Sequence, residues 1–281
     1  MARSLSFRAT IVSFVLLLAF LGVWHVGTLP ATGGAAATYA DPEYAALMGG
    51  ASVQASGLPS PGTVGETIAT QLANPFYDNG PNDKGIGIQL AWSLSRVLAG
   101  FLLAALVAVP LGFVIGMSPL MHKALNPYIQ LLKPISPLAW MPLALYTIKD
   151  ASLSSIFVIF ICSIWPMMIN TAHGVASVKK DWLNVARTLE VNPFRTAISV
   201  ILPAAAPTIL TGMRISMGIA WLVIVAAEML VGGTGIGYFV WNEWNNLNLS
   251  NVIFAIVMIG AVGMLLDMVF GLLTKLVTYQ E

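Results

Sequence analysis

Charge is what this sequence has least of. Only 9% of its 281 residues are Asp, Glu, Lys or Arg, against about 25% in a soluble domain. So few charges cannot cover a chain of this length with a water-facing surface. The 57% hydrophobic content and mean hydropathy of +0.82 point to a polytopic membrane protein instead. The net charge of +1 leaves no basic patch for a nucleic acid. One cysteine, Cys162, lies in an apolar run and excludes an internal disulfide. The histidines His25, His122 and His173 lie too far apart for metal-ligand spacing, so no metal site is assigned. No Gly-x-x-x-x-Gly-Lys-[Ser/Thr] phosphate loop occurs, so if ATP drives this protein another subunit binds it. No catalytic residue is assigned, and an enzyme is not expected.

What is present is a series of apolar runs. Arg3 and Arg8 precede the first, whose core is Ile11–Leu29, close to the roughly 20 residues that cross a bilayer. A cleaved signal peptide ending in the Ala35-Ala36-Ala37 region is the alternative. Residues 31–85 are polar and rich in Gly and Pro. The second run is Val97–Met121, with Arg96 at its start and His122-Lys123 after it. The third, Leu125–Ile148, contains Pro127, Pro134, Pro137 and Pro142, which predicts a kinked or broken helix. Ala151–Val178, Thr208–Val231 and Val252–Leu273 complete six spans. Arg3, Arg8, Lys123, Lys179, Lys180, Arg187, Arg195 and Lys275 fall on one side, Lys84 and Lys149 on the other. That asymmetry puts both termini in the cytoplasm and residues 31–85 outside.

Between the fourth and fifth runs lies the charged stretch Asp181–Pro203. Its charges exclude it from hydrocarbon. Val191-Asn192-Pro193 reads as a turn between two short helices, the second ending near Leu202-Pro203. The stretch resembles the cytoplasmic coupling loop of ATP-binding-cassette importer permeases, which reads Glu-Ala-Ala, three residues, Gly, nine residues, Ile-x-Leu-Pro. Asn184, Val185 and Ala186 hold the first three places, Glu190 stands at the glycine, and Val200, Leu202 and Pro203 close the pattern. The resemblance implies that Asn184, Val185, Ala186, Arg187, Glu190, Val200, Leu202 and Pro203 couple the chain to an ATPase.

Pro75–Gly100, Ile219–Leu230 and Gly232–Leu249 are similar to the branch of that family importing nitrate, cyanate, bicarbonate or organic sulfonates. The whole resemblance covers roughly residues 75–275. It implies an all-α membrane protein with six transmembrane helices and the type I ABC importer permease fold. Residues 1–30 would be an N-terminal transmembrane helix, 31–85 a periplasmic segment, and 86–281 a five-helix core with the coupling loop at 179–205. The implied partners are cytoplasmic ATPase subunits holding ATP and Mg, a periplasmic or lipid-anchored solute-binding protein, a second permease copy and membrane lipid, all at a bacterial inner membrane. The chain itself would hold no cofactor. The implied solute is a small inorganic anion, nitrate or nitrite first, with bicarbonate, cyanate or an alkanesulfonate as alternatives. A stand-alone secondary transporter is the rival from another class. It needs ion-coupling carboxylates within its spans, and only Glu228 and Asp267 lie near them.

The candidate translocation path is Lys133, Ser136, Trp140, Asn170, Arg214, Trp221 and Glu228. On an ideal helix Arg214 and Glu228 lie within about 40° of one face and about 21 Å apart along the axis. Met217, Gly218, Trp221 and Val225 share that stripe. The alternatives are that Arg214 snorkels to headgroups and Glu228 caps the outer end. Ser163, Asn170, His173 and Ser177 recur on one face of the fourth run, as a polar pore wall or as interhelical hydrogen bonds. Lys133, Ser136 and Trp140 flank the break in the third run, where freed N–H groups would favour an anion. Trp241 and Trp244 suit an interfacial belt.

Overall fold

The computed structural model describes residues 2–29, 58–80 and 83–277. Most of the expected periplasmic segment, and the Ala35-Ala36-Ala37 region, lie outside these residues. Among the described residues the regular structure is helical: α1 Ala2–Thr28, α2 Pro61–Ala73, α3 Ile86–Met117, α4 Pro119–Leu132, α5 Pro137–Ile148, α6 Ala151–Ala176, α7 Lys180–Thr188, α8 Pro193–Thr196, α9 Leu202–Val231, α10 Ile236–Asn245 and α11 Leu249–Val277. Among the described residues five helical segments are long and apolar enough to cross a membrane: Phe7–Thr28, Ile86–Met117, Ala151–Ala176, Pro193–Val231 and Leu249–Val277. The remaining apolar stretch is the pair α4–α5, interrupted at residues 133–136.

The chain divides into two compact units. The first comprises Met1–Ala73 with Glu243–Phe254. In it, Trp24 Nε1 donates to the Pro59 carbonyl at 3.1 Å, and Ser60 Oγ accepts from the Thr63 N–H at the start of α2. Asn251 links α2 to α10, accepting from Gln71 Nε2 and donating to the Glu243 carboxylate.

The second unit comprises Asn74–Asn242 with Ala255–Glu281. Its centre is α3, α6 and α9. Gly100, Ala104, Ala108, Gly112 and Gly116 fall every four residues along α3 and make a groove of small side chains. A Cβ on Gly112 would sit 2.7 Å from the Met168 carbonyl oxygen, and one on Gly100 2.7 Å from Ile159. Backbones therefore touch along a line that runs in step, Gly100 by Ile159 and Gly116 by Val175, so α3 and α6 are parallel. In contrast α9 runs back against α6, with Gly174 by Thr208 and Gly212 by Asn170. The C-terminal ends of α3 and α6 and the start of α9 thus share one end of the unit. Val175, Val178, Ile201, Ala205 and Ile209 form a buried cluster there, with Leu183 of α7 packed on it.

Two boundaries differ from the sequence expectation and one agrees with it. First, α3 begins at Ile86, so Arg96 lies inside the helix. The residues after Arg96 rise about 30 Å, the thickness of a hydrocarbon core, which places Arg96 at its edge. Second, the break that the prolines predict is present, and the third stretch is two helices. Ser118 caps α4 by accepting from Met121, and Ser136 caps α5 by accepting from Leu138, each followed by proline at the first helical position. Third, the second short helix of the loop does not end at Leu202-Pro203. It continues from Pro193 through a π-helical turn, Ala197–Ile201, into α9. The wider turn just before Pro203 absorbs the missing N–H that proline brings.

The entry to α3 is a tight loop. The Gly85 N–H donates to the Tyr77 carbonyl at 2.7 Å, and Asn79 donates to the Asp83 carbonyl at 2.9 Å. Lys84 pairs with Asp78 and holds its carboxyl below the usual carboxylate range.

Candidate coupling loop and translocation path

The α7 helix presents two faces. Ala186 is buried at 5% exposure and turned toward the chain's own core, while Asn184, Val185, Arg187 and Glu190 are exposed. Trp182, Val185 and Leu189 recur at i, i+3 and i+7 on the outer side, and Phe194 follows at 73% exposure. Lys179 lies over the Trp182 ring at 5.4 Å. This apolar patch on a charged loop was not anticipated, although its helical spacing is readable. Val200 is half-buried in the π-helical turn, and Leu202 and Pro203 are exposed at the start of α9.

Glu190 explains the glycine of the family pattern. Its φ is +52°. The Val191 N–H donates to the Ala186 carbonyl at 3.1 Å and the Glu190 N–H to the Arg187 carbonyl at 3.0 Å. This is a Schellman terminus with Glu190 in the left-handed position that glycine usually fills. A side chain there costs on the order of 1 kcal/mol.

The path candidates do not converge on one place. Glu228 is 1% exposed. Its carboxylate accepts from Arg96 Nη1 at 2.8 Å, from Ser93 Oγ at 2.8 and 2.9 Å, and from the Gly237 N–H at 3.0 Å. Arg96 also donates to the Thr234 carbonyl at 2.7 Å and to Ser152 Oγ at 3.0 Å. Gln89 accepts from the Gly235 N–H, and the Ser93 hydroxyl oxygen from the Ile236 N–H. Glu228 is therefore buried rather than exposed at the end of its helix. It is the centre of a buried network that ties α3, α9 and the start of α10 together. Gln89, Ser93 and Arg96 escaped the sequence reading, yet they lie at i, i+4 and i+7, one polar stripe near the start of an apolar helix.

Arg214 points elsewhere. It makes a bidentate pair with Asp267 of α11, Nε and Nη2 each 2.5 Å from a carboxylate oxygen. The buried Trp221 donates to the Ile259 carbonyl at 3.0 Å. The stripe of Arg214, Met217, Gly218 and Trp221 borders a narrow cleft of about 40 Å³ against Gly263 and Asp267. Asn170 Nδ2 donates to the Pro166 carbonyl on its own helix at 2.8 Å. Of its polar stripe, Ser163 is buried, with its carbonyl accepting from Ser216 Oγ, whereas His173 and Ser177 are exposed.

Lys133 and Ser136 are exposed at the α4–α5 break, with Trp140 half-buried. Lys133 lines a cavity of about 960 Å³ between the end of α3, the length of α4 and the second half of α6. His122, Lys123, Asn126, Gln130 and His173 line it too; Ser136, Trp140 and Asn170 do not. Among the described residues no group of three or more His, Cys, Asp or Glu is placed to hold a metal.

The family described as the binding-protein-dependent transport system inner membrane component matches residues 100–279. The nitrate import permease protein NrtB of Synechocystis sp. is 47% identical over 230 residues, 82% of this chain and 84% of that protein. The bicarbonate transport system permease protein CmpB of Synechocystis sp. is 44% identical over 209 residues, 74% of this chain and 75% of its own length. Among solved structures, a chain of the inward-facing MetNI methionine ABC transporter aligns with a TM-score of 0.61. It covers 67% of this chain and 94% of that one at 12% identity, a likeness of fold alone. A helical fold of the type I importer permeases and a set of helices long and apolar enough to cross a membrane agree with these relatives. The chain belongs to the family of binding-protein-dependent transport system inner membrane components, the permease subunits of ABC importers, and is not itself an enzyme.

Proposed function

We propose that two copies of this chain enclose one pathway across a bacterial inner membrane and import a small inorganic anion, nitrate or nitrite first. The observation that carries this reading is the extent of identity to a nitrate import permease. Bicarbonate is the second reading, supported by the similarity to a bicarbonate permease. A cytoplasmic ATPase, holding ATP and Mg, grips the loop 179–205 through Asn184, Val185, Arg187 and the apolar patch of Trp182, Leu189 and Phe194, with Glu190, Val200, Leu202 and Pro203 at its rim. Ala186 anchors the same helix from within. A solute-binding protein, periplasmic or lipid-anchored, delivers the anion to the outer face. The lysine and arginine distribution supports cytoplasmic termini, a periplasmic 31–85 segment and a membrane helix within residues 1–30.

Support for the second copy comes from Arg214 and Asp267. Arg214 lies about 18 Å along α9 from Leu202, and Asp267 about 15 Å along α11 from Val277. Their side chains remain 44% and 54% exposed. Charges at such depth face a protein interior or a water-filled path rather than lipid. Glu228 and Asp267, the carboxylates a stand-alone ion-coupled carrier would use, are both bound to arginine, which weighs against that rival.

Reconstitution of the permease with its ATPase and binding protein in liposomes tests the reading. ATP-dependent uptake of isotopically labelled nitrate is the expected result. Uptake of bicarbonate or an alkanesulfonate but not nitrate would overturn the solute, and uptake by the permease alone would overturn the class.

A further inference from the structure

The large cavity of the second unit is chemically one-sided. Along α4, His122, Asn126, Gln130 and Lys133 fall at i, i+4, i+8 and i+11, a single helical stripe, and all four line the cavity. Lys123 and His173 add to it, and no carboxylate is among the lining residues. Gln130 Nε2 donates to Asn126 Oδ1 at 3.3 Å, holding the two amides as a pair. The opposite wall carries Ile115, Met168 and Ile169, with His173 its one polar side chain. None of the α4 residues is buried, so the helix stands off from α6 and leaves the space open.

Position adds to the chemistry. The lining includes the last residues of α3 and the end of α6, at the end of the unit from which α7 emerges. The cavity also follows α4 for about 20 Å up to the break at Lys133. It therefore runs from the broken segment to the end of α6, just before the loop begins. Lys123 and Lys133 stand about 15 Å apart along it. Two separated positive groups with neutral amides between them lower the desolvation cost of a monovalent anion without trapping it at one point.

We propose that this cavity is the share each permease copy contributes to an inward-side anion chamber on the common pathway, holding the carried oxyanion between the α4–α5 break and the cytoplasm through Lys123, Asn126, Gln130 and Lys133. The proposal rests on the reading of the solute as a small anion. An anionic phospholipid headgroup shares the chemistry, and the experiment separates the two.

Replacing the single cysteine, Cys162→Ala, frees the chain for a reporter at Ala176→Cys, an exposed lining position that is not one of the proposed anion contacts. The complete complex is reconstituted in proteoliposomes, and the rate of modification by a negatively charged methanethiosulfonate is read from the coupling-loop side. The expected result is rapid modification, slowed about tenfold by saturating nitrate but not by gluconate. In the same background Lys123→Gln with Lys133→Gln abolishes that protection, and the charge-preserving pair Lys123→Arg with Lys133→Arg retains it. Modification indifferent to every transported anion, or governed by the phosphatidylglycerol content of the vesicles instead, overturns the chamber. If the complex imports bicarbonate and only bicarbonate protects, the nitrate reading falls and the chamber stands.

Discussion

Glu228 of α9 and Arg96 of α3, far apart in sequence, meet at 2.8 Å, with side chains 1% and 11% exposed. Arg96 goes on to the Thr234 carbonyl, and Glu228 to the Gly237 N–H, so the pair clamps the glycine-rich turn between α9 and α10 onto α3. Removing one partner strands the other charge. Arg96→Leu should cost about 3–5 kcal/mol, and Arg96→Met with Glu228→Leu should recover much of it. Thermal denaturation of the purified permease–ATPase complex in detergent checks this. Equal losses for the single and double variants would deny the pair its coupling.

The same clamp leaves no room at two glycines. A Cβ at Gly235 would lie 2.2 Å from the Glu228 carboxyl carbon, and one at Gly237 2.2 Å from the Val225 carbonyl oxygen. Gly237→Ala meets backbone and should destabilise by at least about 1–3 kcal/mol. Gly233→Ala, next to the same turn, has open space around it but a φ of +91°, so its cost is conformational strain of about 1–3 kcal/mol rather than a clash. Ser93→Ala should add to the loss of Gly235→Ala less than independently, because both act through the Glu228 carboxylate. Thermal midpoints of the four single variants and of the Ser93→Ala/Gly235→Ala double variant test this.

In the coupling loop, Val185→Asp should abolish ATP-driven import while the chain still inserts and purifies, since Val185 is 58% exposed on the outer face of α7. Ala186→Trp should also uncouple, by a different route. Its buried site has no space for an indole, and overpacking of about 1–3 kcal/mol should appear as a lowered melting temperature that Val185→Asp lacks. Glu190→Gly should raise stability by roughly 1 kcal/mol, because glycine removes the left-handed strain at φ +52°. Import by that variant should remain within about twofold, the range of an ordinary surface change.

Arg214 and Asp267 should behave as a unit. Arg214→Leu or Asp267→Leu alone leaves a lone charge at membrane depth and should cut the yield of assembled complex sharply. Together the two substitutions should restore assembly, because the desolvation penalty disappears with both charges. Size-exclusion chromatography of the reconstituted complex reads this out. A double variant as defective as either single one would show that the charges serve separate partners.

The sequence by itself determined the class of protein, because hydrophobic run length and charge scarcity are local properties that a bilayer reads directly. It also located the break in the third stretch, since Pro134 and Pro137 act on their own backbone. The loop at 181–203 was legible for the same reason, as its charges cannot enter hydrocarbon. Side-chain destinations were not legible. Arg214 and Glu228 share a face of α9 on the helical wheel, yet one binds Asp267 on α11 and the other Arg96 on α3. What distinguishes them is which helix happens to pack beside each turn. That depends on the small-residue groove of α3, which brings α6 into backbone contact. The inward turn of Ala186 and the gathering of Lys133 with His173 around one cavity are likewise tertiary facts. The first depends on how α7 packs on the ends of α6 and α9, the second on how far α4 stands from α6, and no spacing within one helix encodes either.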